Sequence, residues 1–152
     1  VSNCSNNYGP WQHKEKLIPT VVSSIIQNKR IPVYGKGLNV RDWIHVDDHC
    51  RGIWKSLTLG KPGEVYNFGG DKEISNINLI KLILSILDKP FSLIEHVNDR
   101  KGHDFRYAMD FSKAKKELHW EPQISFNEGI KNTITWYQNN HEWLKKVQSL
   151  GI

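Results

Sequence analysis

The amino-acid sequence predicts an α/β fold. Helical runs whose apolar residues recur every three or four positions alternate with short apolar runs bounded by glycine and proline. Residues 17–26 and 77–87 are examples of the first kind, and residues 31–34 and 64–70 of the second. The chain has 152 residues, of which 38% are hydrophobic, and six tryptophans. This is enough for one folded unit over residues 1–152 with a core of its own.

The first half of the chain is predicted to contain three strands and two helices. Pro19 is compatible with a helix only in its first turn, so the first helix should begin near Glu15 or Lys16. Asp47 and Asp48 can cap the second helix, because carboxylates favour the free N–H groups of a helix start. In order, we expect a strand at 1–5, a polar turn to 10, a helix to 28, strands at 31–34 and 40–46, and a helix at 47–59.

The second half continues the alternation. Ser75 or Asn76 can cap a helix that Pro90 stops, and Ser125 with Glu128 has the form of a capping box. The predicted elements are a strand at 64–70, a helix at 77–87, a strand at 94–97, a polar loop at 98–106, a helix at 112–118 and a last helix towards 144. The pattern does not amount to a complete Rossmann unit.

Composition excludes some classes of function. The formal net charge is +5, but lysine and arginine are dispersed, so we do not expect a nucleic-acid partner. No apolar run approaches the roughly 20 residues of a membrane helix, so we expect no membrane association. Cys4 and Cys50 suit free thiols in a reducing cytoplasm. The chain opens on Val1 without methionine or a leader pattern, and we expect it to be part of a longer protein.

Residues 6–10 (NNYGP) and 15–19 (EKLIP) form the first polar segment of interest. The amides of Asn6 and Asn7 can both donate to and accept from a sugar or a carboxamide, and Lys16 offers a charge to a phosphate. The plainer interpretation is an Asx turn followed by a helix start.

Residues 32–37 and the nearby Arg41 form the second segment. The ring of Tyr34 can cover a flat base, and the guanidinium of Arg41 can hold a phosphate with two parallel hydrogen bonds. The plainer interpretation is a β-hairpin with a surface pair between Arg41 and Asp42.

Two further segments can bind anions, and two nearby histidines have the spacing of metal ligands on a helix. Residues 99–106 place six ionisable groups around Gly102, which suits a ribose or a pyrophosphate unless they form only a solvated cluster. Residues 67–70 precede Asn76, which at a helix start could attract phosphate or could simply cap the helix. His45 and His49 are expected on different elements, so we predict no metal site.

Six motifs occur in a fixed order along the chain: residues 5–10 (SNNYGP), 15–19 (EKLIP), 33–37 (VYGKG), 40–43 (VRDW), 66–70 (YNFGG) and 99–104 (DRKGHD). This series resembles the dTDP-glucose 4,6-dehydratases of the extended short-chain dehydrogenase/reductase family, from Cys4 to about Trp143. The resemblance implies the C-terminal substrate-binding portion of such an enzyme, with a few strands and helices of an incomplete Rossmann domain. Segments 1–10 and 47–70 would then belong to the truncated Rossmann sheet and expose apolar surface.

The resemblance also implies individual roles. Asn7 would contact the nicotinamide side of NAD. Lys101 stands where the family commonly has proline, which makes the loop less rigid but keeps its polar residues. The dTDP-sugar would be held by Asn6, Lys16, Leu17, Pro32, Val33, Tyr34, Arg41, Asn76, Asp99, Arg100, Lys101, Gly102 and His103.

By the same resemblance, the complete enzyme uses NAD to oxidise the C4 hydroxyl of dTDP-glucose, eliminates water across C5 and C6, and returns the hydride to C6. The product feeds deoxysugar synthesis, including rhamnose, and polysaccharide synthesis, and the complete enzyme is expected to be a homodimer. The sequence contains no glycine-rich NAD motif, Tyr-x-x-x-Lys pair or Thr-Asp-Glu run, so we assign no catalytic residue and expect no turnover. The alternatives are an epimerase or decarboxylase of the same family, a basic nucleic-acid-binding module, or a structural domain that binds nothing.

Overall fold

Short strands alternate with helices along the chain. The computed structural model describes residues 1–149, with the side chains of residues 1–147. The strands are β1 (Ser2–Cys4), β2 (Asn6–Tyr8), β3 (Ile31–Tyr34), β4 (Val40–His45), β5 (Tyr66–Phe68), β6 (Glu73–Ser75), β7 (Ile94–Val97) and β8 (Arg106–Tyr107). The helices are α1 (Leu17–Ile26), α2 (Val46–Leu59), α3 (Asn76–Ile86), α4 (Ser112–Leu118), α5 (Phe126–Asn139) and α6 (His141–Ser149), with a 3₁₀ turn at Phe91–Leu93.

Within the described residues the strands form three small sheets. In the largest, β4 pairs in parallel with β2 and β8 and antiparallel with β6. The other two are the parallel pairs β1 with β5 and β3 with β7. All pairs except β4 with β6 are parallel, and parallel strands require crossover connections, which the helices supply.

Two apolar clusters hold these layers together. The larger contains α1, α3 and α5 packed on β3 and β4, with fully buried residues such as Val21, Ile80 and Ile83. The smaller packs β5 against α4, where the ring of Trp120 meets that of Phe68 edge-on at 4.7 Å. The helices follow the predicted periodicity because their apolar stripes each face one of these clusters.

Asp42 joins β4 to the turn after β5. Its buried carboxylate accepts hydrogen bonds from the backbone N–H groups of Gly70 (2.9 Å) and Lys72 (3.0 Å). A Cβ atom at Gly70 would overlap the carbonyl group of Trp43, so the turn can approach β4 only because this residue is glycine. The interpretation of Arg41 and Asp42 as a surface pair is therefore wrong, since both side chains are buried.

The structure corrects several sequence-based expectations. The predicted polar turn is partly strand β2, and β6 was not predicted. The predicted hairpin is wrong, because β3 pairs with β7 and not with β4. The last helix ends at Asn139 and a new helix starts at His141.

The cap of α2 differs from expectation, whereas the cap of α3 is one of the two expected residues. The Nδ1 atom of His45, and not an aspartate, accepts from the N–H of Asp47 at the start of α2. Asp48 is instead fully buried and accepts from the backbone N–H groups of Gln123 and Ile124. Ser75 caps α3, which leaves the side chain of Asn76 available for another role.

Helix α2 exposes several large apolar side chains. Trp54 is 65% exposed and Leu57 is 77% exposed, and the N-terminal Val1 is 81% exposed. Exposed apolar surface was expected in these segments. No helix among the described residues is both long and apolar enough to cross a bilayer.

Candidate functional site

A cavity of about 430 Å³ lies where β2, β3, β4 and the starts of α1 and α3 meet the loop of residues 98–105. Its walls combine apolar side chains with cations and amides. The lining residues are Asn6, Gln12, Glu15, Lys16, Leu17, Thr20, Pro32, Val33, Tyr34, Arg41, Trp43, Asn76, Ile80, Arg100 and His103.

The cavity brings together most of the residues that the sequence indicated. Ten of the thirteen expected substrate-binding residues line it: Asn6, Lys16, Leu17, Pro32, Val33, Tyr34, Arg41, Asn76, Arg100 and His103. The remaining three, Asp99, Lys101 and Gly102, lie in the same loop but do not line the cavity. Segments more than 90 residues apart in the sequence therefore meet around one space.

Arg41 lies beneath the loop and is only 9% exposed. Its guanidinium donates to the carbonyl oxygens of Val40 (2.7 Å) and Asp104 (2.8 Å). Asn39 donates to the same Asp104 oxygen at 3.0 Å, so two side chains hold the loop against β4. A guanidinium has five N–H donors, which leaves three of those of Arg41 for another partner.

Tyr34 forms an aromatic surface at the outer end of β3. The guanidinium carbon of Arg100 lies 5.2 Å from the centre of its ring, and the His103 ring lies 6.4 Å away at 85°. The ring is 45% exposed, so part of its surface remains accessible. A cation and two rings arranged in this way suit a flat, electron-rich group.

Asp99 holds the loop in shape. Its Oδ1 atom lies 2.7 Å from the Nδ1 atom of His103 and accepts from the backbone N–H of Arg100 at 2.8 Å. The pKa of the Asp99 carboxyl is lowered, mainly by the hydrogen bond with His103 and to a smaller extent by that from the backbone N–H of Arg100. Asp99 therefore orients His103, which itself lines the cavity.

Asn7 faces a second cavity, of about 680 Å³, lined by Asn7, Tyr8, Gly9, Pro10, Trp11, Gln12, Val46, Asp47 and His49. The amide nitrogen of Asn7 donates to Cys4 Sγ and to the Ser5 carbonyl oxygen, both at 3.2 Å. Its amide oxygen lies 3.0 Å from the Nδ1 atom of His49, and burial lowers the pKa of that imidazole. Much of the hydrogen-bonding capacity of Asn7 is thus used inside the chain.

The histidines near the start of α2 have separate partners. His45 caps the helix and His49 contacts Asn7, as described above. Across the part of the chain that the structure describes, no group of three or more histidine, cysteine, aspartate or glutamate side chains could hold a metal ion.

A family model described as GDP-mannose 4,6 dehydratase matches residues 1–133. The chain belongs to this dehydratase family. A dTDP-glucose 4,6-dehydratase of Escherichia coli is 48% identical over 97% of the chain and 44% of that relative's length. The solved structure of a dTDP-glucose 4,6-dehydratase from Streptomyces venezuelae, with NAD and TYD bound, has a TM-score of 0.95 at 45% identity, covering 97% of this chain and 46% of that one.

The chain therefore spans less than half the length of these dehydratases. A more distant neighbour is a UDP-glucose 4-epimerase from Thermotoga maritima, with a TM-score of 0.85 and 29% identity, covering 93% of this chain and 46% of that one. The expected fold, an α/β portion of an extended short-chain dehydrogenase/reductase, is confirmed, and so is the resemblance to the dTDP-glucose 4,6-dehydratases.

Five residues that line the first cavity of this dehydratase-family chain were not predicted: Gln12, Glu15, Thr20, Trp43 and Ile80. Glu15 lies in the motif of residues 15–19 and Trp43 in that of residues 40–43, so both could have been predicted from these motifs. Gln12 carried no such signal. It reaches the site only because its amide nitrogen donates to the carbonyl oxygen of Asn7 at 2.7 Å, a contact that strand β2 creates.

Proposed function

We propose that this chain is the part of a dTDP-glucose 4,6-dehydratase that binds the dTDP-sugar. The observation that carries the proposal is the single cavity that the expected nucleotide-binding residues share. It supplies three cations, on Lys16, Arg41 and Arg100, beside the aromatic ring of Tyr34. A nucleoside diphosphate needs this combination, because its pyrophosphate is anionic and its base is flat.

Each part of the ligand has a matching set of residues. Arg41 is fixed by two backbone carbonyls, so its remaining donors are pre-oriented towards a phosphate. Tyr34 with Pro32 and Val33 offers a strand edge and a ring for thymine. The loop that contains Asp99, Lys101 and Gly102 would close over the nucleotide, with Asp99 acting through His103.

The complete enzyme would convert dTDP-glucose to dTDP-4-keto-6-deoxyglucose and water. NAD would accept the hydride from C4 and return it at C6, so that the overall reaction is redox-neutral. In this chain only Asn7 is proposed for the cofactor. Because its side-chain amide already has internal partners, its contribution would be to the wall of the 680 Å³ cavity.

The exposed apolar face supports a place in a larger enzyme. We assign segments 1–10 and 47–70 to the edge of a Rossmann sheet that the rest of the dehydratase would complete. The exposure of Trp54 and Leu57 on α2 supports this assignment, because apolar side chains of this size are usually covered. We propose a homodimer for the complete enzyme, and the free thiols of Cys4 and Cys50 support a reducing compartment, the cytoplasm.

The nucleotide preference tests the proposal. Thermal unfolding of the chain would be followed with dTDP, UDP and GDP at matched concentrations. A dTDP-sugar site predicts the largest rise in melting temperature with dTDP, because a ligand that binds only the folded state stabilises it. A larger rise with UDP would favour the epimerase or decarboxylase alternative, and no rise with any of the three would refute the site.

A nucleic-acid-binding module is another alternative. Several cations of the chain are paired with carboxylates, among them Lys113 with Glu64 (2.5 Å) and Arg106 with Glu73 (2.6 Å). Such pairing leaves less positive charge for a phosphate backbone. Steeply salt-dependent binding to random duplex DNA would support this alternative against the nucleotide site.

A further inference from the structure

The loop of residues 9–16 joins β2 to α1 and contributes to the walls of both cavities. Gln12, Glu15 and Lys16 line the first cavity, and Trp11 and Gln12 line the second. Residues 9–16 contain no helix or strand, so the hydrogen bonds of a regular element do not fix the shape of this loop. Its conformation therefore depends on contacts with neighbouring elements.

The backbone at Trp11 is strained. Its φ angle of +64° lies in the left-handed region, where the Cβ atom of any residue other than glycine crowds the neighbouring backbone. A tryptophan keeps such a conformation only where its surroundings hold it there. The side chain is 64% exposed and belongs to neither apolar cluster, so burial in the core does not supply this restraint.

Two other tryptophans supply the restraint. The Trp11 ring meets that of Trp136 on α5 with centroids 4.8 Å apart and that of Trp143 on α6 with centroids 5.2 Å apart. The rings of Trp136 and Trp143 lie 5.5 Å from each other, and all three pairs are edge-on, an arrangement that stabilises aromatic pairs. Trp136 and Trp143 also pack against the larger apolar cluster. This tryptophan cluster (Trp11, Trp136 and Trp143) therefore ties the loop to the core.

The same two helices hold the loop on either side of Trp11. The hydroxyl of the buried Tyr137 on α5 lies 3.2 Å from the carbonyl oxygen of Gly9 and 3.3 Å from that of Gln12. The ammonium group of Lys14 donates to the carbonyl oxygen of Val147 on α6 at 3.3 Å. The loop thus takes its shape from α5 and α6, whereas the surface proposed for the base is on β3.

We infer that Trp11 is a positioning residue of the nucleotide site. Through the tryptophan cluster it keeps residues 9–16 in the conformation that presents Lys16 to the diphosphate in the first cavity. Trp11 does not line that cavity, so it acts on the ligand only through the loop. A loop that adopts the binding conformation for only part of the time lowers the apparent affinity in proportion. This inference rests on the proposed function, in which Lys16 contacts the diphosphate.

Calorimetric titrations with dTDP and with thymidine, the nucleoside without phosphates, test the inference. Trp11→Ala should weaken dTDP binding by about three- to tenfold, the effect of losing one aromatic pair, and leave thymidine binding within about twofold. Trp11→Phe retains an aromatic ring and should restore most of the lost dTDP affinity. Trp54→Ala is the matched control, because Trp54 is similarly exposed (65%) but lines neither cavity, and it should leave both affinities unchanged.

Trp143→Ala tests the same contact from outside the loop. Trp143 lines neither cavity, so this variant should also weaken dTDP binding and spare thymidine binding. Added to Trp11→Ala, it should weaken dTDP binding by less than about a further twofold, because the contact between the two rings is already absent.

The outcomes separate this inference from the proposed function. If the unmodified chain does not bind dTDP, both are refuted. If it binds dTDP and the Trp11→Ala chain binds it within about twofold, or loses dTDP and thymidine affinity equally, only the inference is overturned. If Trp11→Ala does not fold, Trp143→Ala decides, and an unchanged dTDP affinity in that variant would overturn the inference.

Discussion

Replacing Arg41 with lysine tests whether the buried guanidinium holds the diphosphate. Two of its five N–H donors are used by the carbonyl oxygens of Val40 and Asp104, and three remain for a ligand. A lysine keeps the charge but has three donors on one nitrogen, so it cannot bond both carbonyls and a phosphate in the same geometry. Loss of one charge-assisted hydrogen bond costs about 1.5–3 kcal/mol, which corresponds to about 10- to 150-fold weaker binding of dTDP.

Calorimetry with dTDP and with thymidine, which lacks phosphates, is the appropriate assay. Arg41→Lys should weaken dTDP binding by the stated factor and leave thymidine binding nearly unchanged. Arg106→Lys is the matched control, because the guanidinium of Arg106 makes an exposed two-point contact with Glu73 at 2.6 Å and does not line the cavity. It should not change the affinity for either ligand.

Two results would contradict this reasoning. A folded Arg41→Lys chain that binds dTDP within about twofold of the original would show that the guanidinium does not contact phosphate. Equal losses for dTDP and thymidine would show that Arg41 acts only by holding the loop through the carbonyl of Asp104.

Three further predictions concern stability, protonation and the apolar face. Gly70→Ala should lower the unfolding free energy by about 3 kcal/mol, because the added Cβ would overlap the Trp43 carbonyl. Gly63→Ala, at φ +83° in open space, should lower it by only about 1–2 kcal/mol. Equal losses of unfolding free energy in denaturant titrations would refute this. Burial lowers the pKa of His49, so the stability that its neutral imidazole contributes is present above about pH 6.5 and is lost as the pH falls through the lowered pKa. His49→Gln should therefore flatten the decline in melting temperature between pH 7 and pH 5. An unchanged slope would contradict this prediction. Leu57→Glu on α2 should reduce the self-association measured by light scattering without lowering the melting temperature. If the original chain is a monomer that binds no hydrophobic dye, α2 is not an exposed docking surface.

The long helices could be predicted because their apolar periodicity reflects a single buried face. The helix of residues 112–118 agrees with its prediction to the residue, and α1 and α2 agree within two residues at their starts. Strand β2 could not be predicted in this way. Asn6 and Asn7 carry no apolar alternation, and they form a strand only because β4, more than thirty residues away, offers its backbone.

The site was predictable to the extent that its residues lie in recognisable motifs. Arg41, Tyr34 and Asn6 were named from such motifs, and the structure places them around one cavity. The buried state of Asp42 was missed because the sequence does not reveal that the turn at Gly70 needs two hydrogen-bond acceptors. Gln12 was missed for a similar reason, since its partner is a backbone carbonyl of a strand that the sequence did not predict.

The geometry of β2 explains why two adjacent asparagines face different cavities. Successive side chains on a strand point to opposite sides, so Asn6 lines the 430 Å³ cavity and Asn7 the 680 Å³ cavity. Gln12 lines both, and its bond to the carbonyl of Asn7 fixes it at their boundary. Because a one-residue slip of β2 against β4 would exchange the two asparagines, the register of Asn6 with Trp43 is as important to the site as any single side chain.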